Sequence, residues 1–313
     1  MSTKASAGNT PESTAGARTR WVPAYAALAA IWGMSFLFIK VADRAFAPAQ
    51  VAFGRVLLGC VVVCAVVAIR WRRLSLSPRL VLRRRLWGQL AVAALLMNTV
   101  PFTLLAYGEQ RVTSVSAGIW NAATPLLALP ATIWLIPSER PGARRLAGLA
   151  AGFAGVLILL GAGPQLSRGT LAGDAMCFGA ACSYGIGFPF SRRFLSSSGL
   201  PPVALAAGQL MCAVAQLAVV AALAAPVPAG YPPLATASVL ALGAAGTGAA
   251  YILNFTIVRD AGATMASTVT YVIPVCSTAA GVTLLGEHLT AGAVAGALFI
   301  VAGAALSQQS LRR

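Results

Sequence analysis

Charged and titratable residues are scarce in this chain. Its 313 residues include seven Asp and Glu and one His, and charged residues make up 10% of the total. A soluble domain carries roughly a quarter charged residues, so this composition excludes one. An enzyme or a metal centre also needs a cluster of titratable or ligating side chains, which so few carboxylates and a single histidine cannot supply. We therefore predict no enzyme activity, no cofactor and no metal site.

The phosphate-binding motif of ATP-driven pumps and the nucleophile motif of many serine enzymes are also absent. The chain has no Gly-x-x-x-x-Gly-Lys-Ser/Thr loop, so it is not an ATP-driven pump. It has no Gly-x-Ser-x-Gly nucleophile elbow either, which argues against a membrane enzyme such as a lipid-modifying transferase.

Long apolar runs dominate what is present, since 58% of the residues are apolar. Roughly 20 apolar residues cross a bilayer as a helix, and ten runs of about this length fill the chain. We predict an all-α integral membrane protein of ten transmembrane helices. The predicted spans are 23–43, 47–69, 86–107, 113–136, 145–162, 171–194, 202–225, 235–258, 263–285 and 290–307. Residues 1–20 form a polar tail that we expect to be disordered, and 308–313 form a second tail.

The net charge of +16 is distributed by side of the membrane. If the N-terminus is cytoplasmic, eighteen Lys and Arg fall inside and four fall outside, where those at the ends of spans are counted with the adjacent loops, and Arg55 alone lies well within a span. This bias follows the positive-inside rule. It predicts that both termini are cytoplasmic, and it assigns the basic loop at 70–85 to membrane lipid headgroups rather than to nucleic acid.

The second five segments repeat the first five. Trp32-Gly33 corresponds to Tyr184-Gly185, and Pro125 corresponds to Pro274. We therefore divide the chain into repeats at 23–162 and 171–307. An odd number of spans per repeat would insert the two halves in opposite orientations, as in transporters that open alternately to either side.

The repeated prolines and glycines suggest local structure. Pro125 and Pro274 free the carbonyls of Asn121 and Thr270 from helical bonding, which indicates either a cavity wall or a simple kink satisfied by neighbouring helices. Small residues seven apart favour close helix contact, either within the fold or in a homodimer. These glycines are Gly148, Gly155, Gly296 and Gly303.

Taken in order and in duplicate, these features resemble the EamA-type family of the drug/metabolite transporter superfamily. The residues that carry the resemblance are Trp32-Gly33, Arg55, and the helix ending in Pro that is followed by Glu and the glycine seam. It extends over 23–307. It implies two inverted five-helix repeats, a central path, and the export of amino acids, other metabolites or drugs from bacteria. The chain departs from the pattern at 137–141, and it has Gly208-Gln209 where a second Arg would stand.

Uncharged polar and aromatic residues of the spans are candidates for the substrate path. Arg55 has first place, because a buried arginine must face water or a partner; its alternative role is a structural pair with a carbonyl or with Glu109. The path candidates are Trp32, Phe36, Arg55, Tyr107, Trp120, Asn121, Thr124, Pro125, Tyr184, Gln209, Asn254, Thr270, Tyr271 and Pro274.

The middle of every predicted span lacks Asp, Glu and His. Proton coupling would then depend on end-of-span groups, for which Glu109 and Glu287 are the candidates, and facilitated transport stays an open alternative. Asp43 is expected to be a solvated loop residue.

The sequence thus predicts a multi-pass protein of the bacterial plasma membrane that exports small metabolites by alternating access, as a secondary transporter or facilitator. Amino acids, related polar solutes and drugs are the expected substrates. The alternative is a flippase for an amphipathic or lipid-linked molecule.

Overall fold

The structure, a computed structural model, describes residues 21–74, 83–112, 114–139, 142–160, 170–224, 230–285 and 291–308. Within these ranges the chain is helical and has no strand. The α-helices are α1 (Trp21–Ala42), α2 (Pro48–Leu74), α3 (Arg84–Ala94), α4 (Val100–Glu109), α5 (Ser114–Ala122), α6 (Thr124–Leu135), α7 (Ala143–Leu160), α8 (Leu171–Phe190), α9 (Pro202–Ala224), α10 (Pro233–Gly243), α11 (Ala250–Ala261), α12 (Ala263–Ser267), α13 (Val269–Leu285) and α14 (Ala291–Gln308). Three π-helices, π1 (Leu95–Thr99), π2 (Ser191–Leu195) and π3 (Ala244–Ala249), interrupt longer helical runs, and a short 3₁₀ turn covers Pro137–Glu139.

Helices lie at the positions of all ten predicted spans, so the all-α prediction is confirmed for the described residues. By length and hydropathy, four helical runs among the described residues qualify as membrane spans. They are Pro48–Arg70, Arg84–Glu109, Pro202–Ala224 and Pro233–Ala261. The number of membrane crossings stays a prediction.

Two of the π-helices occupy equivalent places in the two halves. The third predicted span of the first half contains π1, and the third of the second half contains π3. A π-helix widens the turn and often occurs at functional sites. The hydropathy pattern predicts unbroken helices here and gives no sign of either π-helix.

Other helices are broken near the predicted proline positions. Ala123 separates α5 from α6, and the hydroxyl of Thr124 donates to the Asn121 carbonyl at 2.6 Å. The carbonyl that Pro125 frees is therefore satisfied locally by a side chain. In the second half the break falls at Thr268, before α13, and this helix continues through Pro274. The two breaks are thus not in the same register.

The predicted glycine seam lies between α7 and α14 within the chain. A Cβ added to Gly155 would lie 2.8 Å from the Gly296 carbonyl oxygen, and one on Gly303 would lie 2.6 Å from that of Gly148. Only glycine permits such close backbone contact. These positions therefore serve intramolecular packing, and a homodimer through the same glycines stays a prediction.

Two main apolar clusters hold helices of both halves together. One joins α2 and α3 to α9 and α11, with Val56, Leu90 and Leu210 at its centre. The other packs α1 against α8 and α11 to α13, with Leu28 and Phe188 fully buried. The halves therefore interlock through a shared core.

Candidate substrate cavity

A cavity with a volume of about 110 Å³ lies between the two halves. The residues that α1, α2, α4 and α8 present to it recur three or four positions apart, which places them on one face of each helix. The lining residues are Trp32, Ser35, Ile39, Asp43, Pro48, Val51, Ala52, Arg55, Met97, Phe102, Leu105, Ala106, Glu109, Asn121, Tyr184, Phe188, Tyr251, Thr270 and Ile273. An apolar wall with a few polar groups is typical of a small-molecule site.

The ends of helices form the rim of this cavity. Asp43 follows the last residue of α1, Pro48 begins α2 and Glu109 ends α4. Asp43 is exposed to solvent here, in a turn beyond the helix, but neighbouring atoms exclude enough water to raise the pKa of its carboxyl to about 6. Both carboxylates of the cavity therefore lie at one end.

Arg55 lies deeper, seven residues into α2, which is roughly 10 Å from the rim along a helix of about 1.5 Å per residue. Its side chain is 7% exposed. Nε donates to the Thr247 hydroxyl at 3.2 Å, and Nη2 donates to the Gly246 carbonyl at 3.4 Å. The guanidinium carbon lies 4.3 Å above the centre of the Phe102 ring, a cation–π contact. Arg55 thus fastens α2 to π3 while it lines the cavity.

Trp32 makes a second contact with the same π-helix. Its indole N–H donates to the Gly246 carbonyl at 3.2 Å. A Cβ on Gly246 would lie 2.9 Å from the Ser35 hydroxyl oxygen, so only glycine lets α1 approach this closely. The Gly246 carbonyl therefore accepts from α1 and α2 together.

Three predicted polar residues complete the wall. Thr270 donates to the Ser267 carbonyl at 2.8 Å. The side-chain amide of Asn121 and the hydroxyl of Tyr184 form no hydrogen bond with any residue that the structure describes. Those two groups are available to a solute.

A neutral network occupies the equivalent place in the other half. Gln209 donates to the Asn98 side-chain oxygen at 2.8 Å, and the Asn98 amide donates to the Tyr251 hydroxyl at 2.6 Å. Tyr251 in turn donates to the Met97 carbonyl at 2.7 Å. Gln209 thus fastens α9 to π1 as Arg55 fastens α2 to π3, but Gln209 does not line the cavity.

Five of the predicted path residues therefore line the cavity, namely Trp32, Arg55, Asn121, Tyr184 and Thr270, and the coupling candidate Glu109 lies at its rim. Their role in transport stays a prediction.

Several other candidates have structural partners away from the cavity lining. The Trp120 indole donates to Asp174 at 2.9 Å, the Tyr271 hydroxyl donates to the Leu149 carbonyl at 3.0 Å, and the Tyr107 hydroxyl donates to the Ala224 carbonyl at 3.5 Å. The remaining candidates that do not line it are Thr124, Pro125, Gln209, Asn254 and Pro274. The side chain of Phe36 and all of Glu287 lie outside the described part of the chain.

Asp43 and Tyr251 are cavity residues that sequence reasoning did not select. Asp43 was expected to be a solvated loop residue, and it is exposed, but it also lies on the cavity rim. Its spacing of four from Ile39 continues the face of α1 that carries Trp32 and Ser35, and this periodicity could have identified it.

Comparisons with known proteins agree with this architecture. The model of the EamA-like transporter family matches residues 19–161 and again residues 171–308. The uncharacterized transporter YoaV of Bacillus subtilis (strain 168) is 25% identical over 275 residues, which cover 87% of this chain and 91% of that protein. One protein solved by crystallography has a TM-score of 0.75 with 21% identity, over 95% of this chain and 99% of that one. The last similarity concerns the fold alone.

Proposed function

We propose that this chain, which belongs to the EamA-like transporter family, exports small metabolites across the bacterial plasma membrane by alternating access. It acts as a secondary transporter or facilitator, and its substrates are amino acids or related polar solutes, with drugs as a further class. The observation that carries the proposal is the cavity between the halves, which places Arg55 behind a rim of two carboxylates.

The difference in burial between the two ends of α1 supports a transport cycle. Towards the N-terminus of α1, Tyr25 and Leu28 pack into an apolar cluster with Phe188, and Leu28 is fully buried. Towards its C-terminus, Asp43 is exposed at the rim. If the termini are cytoplasmic, as the charge bias predicts, this arrangement is the one open to the outside.

The interrupted helices support the conformational change that such a cycle needs. Discontinuous helices at the interface of repeats are characteristic of secondary transporters. Here π1, π3 and the breaks at Ala123 and Thr268 interrupt helices that reach the cavity. We infer that these weak points let the helices move around the substrate.

Mass spectrometry of the medium tests export directly. Cells that overproduce the protein are compared with cells that produce Arg55→Ala at matched membrane abundance. We expect at least one small polar metabolite to accumulate only with the unchanged protein. Equal profiles for cells with the unchanged protein and cells without it would contradict export of a cellular metabolite, and enrichment of a lipid instead would favour the flippase.

Substitutions in the cavity wall test the site. Asn121→Leu and Thr270→Val should raise the KM for the exported solute, by roughly tenfold for the first. Asn121→Leu removes an amide that is available to a solute. Thr270→Val removes a hydroxyl oxygen that can still accept a hydrogen bond while it donates to the Ser267 carbonyl, so its effect should be smaller. Thr236→Val is the matched control, since its buried hydroxyl has no partner among the described residues and it does not line the cavity. Unchanged KM values for both wall variants would exclude these helices from the path.

A further inference from the structure

We propose that the cavity selects small apolar monocarboxylates and that Arg55 binds their carboxylate. This inference deepens the proposed transport function and rests on it. The observations that carry it are the free hydrogen-bonding capacity of Arg55, the size and character of the cavity wall, and the position of the acidic groups.

Arg55 has hydrogen-bond donors that the protein does not use. Its two hydrogen bonds, to Thr247 and Gly246, engage Nε and one N–H of Nη2, and both acceptors are neutral. Among the described residues no carboxylate forms an ion pair with it, and Nη1 has no hydrogen-bond partner. A buried charge is costly unless it is paired, and carboxylates match the geometry of the guanidinium edge. The charge of Glu109 acts on Arg55 from the cavity rim, without an ion pair. An anionic ligand at the unused donors would supply a closer partner.

The Phe102 ring limits where that anion can bind. The ring covers one face of the guanidinium at 4.3 Å, and the bond to Thr247 uses the Nε edge. The remaining donors lie in the guanidinium plane, at Nη1 and Nη2. Since Arg55 lines the cavity, we place the carboxylate against these two nitrogens.

The cavity wall fits a ligand that has an apolar part and a single negative charge. Most lining residues are apolar, among them Trp32, Val51, Phe102, Phe188 and Ile273. A volume of about 110 Å³ suits a ligand of a few carbon atoms rather than a lipid. One guanidinium balances a monocarboxylate, whereas a phosphate monoester carries up to about two charges near neutral pH.

The acidic groups determine what else such a ligand can carry. Asp43 and Glu109 lie at the rim, roughly two helical turns above Arg55. An ammonium group next to the carboxylate would face away from the guanidinium towards these side chains. Free carboxylates and zwitterionic amino acids therefore share the same anchor, and the experiment separates them.

The test uses the full chain in lipid nanodiscs and isothermal titration calorimetry with isovalerate, isovaleramide, isopentylamine and leucine. Isovalerate and its amide have nearly the same shape and differ in charge. We expect isovalerate to bind at least about tenfold more tightly than isovaleramide, and isopentylamine to bind most weakly. If leucine binds better than isovalerate, the carboxylate ligands of this site are amino acids; if it binds less well, they are simple organic acids.

Three variants connect this preference to Arg55. Arg55→Gln should bind isovalerate and isovaleramide equally, and Arg55→Lys should keep part of the preference because it keeps the charge. Thr247→Val removes the partner of Nε without changing the charge, so the preference should persist.

Two results would overturn the inference: equal binding of acid and amide by the unchanged protein, or a preference that survives in Arg55→Gln. If no carboxylate binds but liposomes containing the protein still exchange isopentylamine, the carboxylate inference fails while the transport function stands. If no solute is exchanged at all, the transport function fails.

Discussion

The two halves fasten their helices to each other in equivalent places but with different chemistry. In the charged junction, Arg55 of α2 bonds to π3 in the second half; in the neutral junction, Gln209 of α9 bonds to π1 in the first half. Arg55 also lines the cavity, whereas Gln209 is 1% exposed and lies outside the lining. The two halves therefore share a similar helical framework, but only the first half has a charged residue, Arg55, at the junction.

The largest expected effect comes from making the two junctions chemically alike. Arg55→Gln should reduce transport in proteoliposomes to the rate of empty liposomes, because the charge that faces the cavity is lost. The amide can still bond to Thr247, so the fold should persist. Solute exchange and the thermal unfolding midpoint are measured on the same preparation. Near-normal solute exchange by this variant would mean that Arg55 only connects helices of the two halves, as Gln209 does.

Disrupting the neutral junction should affect stability and leave transport largely intact. Asn98→Leu removes the acceptor of the Gln209 amide and a donor to Tyr251, all of them buried. Leaving a buried polar group unpaired costs about 1–3 kcal/mol, which thermal unfolding detects. Thr103→Val is the control, since its buried hydroxyl has no partner among the described residues. Loss of transport at full stability would show that the neutral junction also belongs to the site.

The glycines next to the two junctions allow a matched comparison. A Cβ on Gly59 would lie 2.7 Å from the Thr247 side chain and 3.0 Å from the Gly243 carbonyl oxygen. A Cβ on Gly208 would lie 2.7 Å from the end of the Leu90 side chain, which can rotate away. We expect Gly59→Ala to destabilise the protein by about 1–3 kcal/mol and Gly208→Ala by less than about 1 kcal/mol. Equal unfolding midpoints for the two variants would contradict this difference in packing.

The sequence predicts the framework better than the junctions. Hydropathy locates the helices, and the repeat identifies corresponding positions, because both depend on short-range patterns. Gly208-Gln209 marks the position without a second arginine, and Arg55 stands out because charge is rare inside a span. The pairing of Arg55 with Gly246 and Thr247 joins residues about 190 positions apart, and no local pattern indicates it. The π-helices have no hydropathy signature. Trp120 and Tyr271 donate hydrogen bonds to partners within the packed structure, and their polar character alone does not predict these partners.

The smallest expected effect comes from protonation of the carboxylate at the cavity rim. It changes the binding of an anion near Arg55 and does not involve the neutral junction at Gln209. Because the pKa of Asp43 is raised to about 6, its carboxyl is mostly neutral one pH unit below that value and mostly charged one unit above it. The charge repels an anion bound near Arg55, and at a separation of roughly 10 Å such a repulsion changes affinity by roughly two- to tenfold. Binding of isovalerate should therefore weaken as the pH rises through 6, and binding of isovaleramide should stay constant.

Asp43→Asn should abolish this pH dependence. The control is Asp260→Asn, which removes the ion pair with Arg259 at the end of α11; this variant should keep the pH dependence. The other charged groups of the cavity are Arg55 and Glu109, and the tyrosines that face it are Tyr184 and Tyr251. If the pH step survives in Asp43→Asn, the titrating group is another of these residues, and the rim carboxylate does not control access to Arg55.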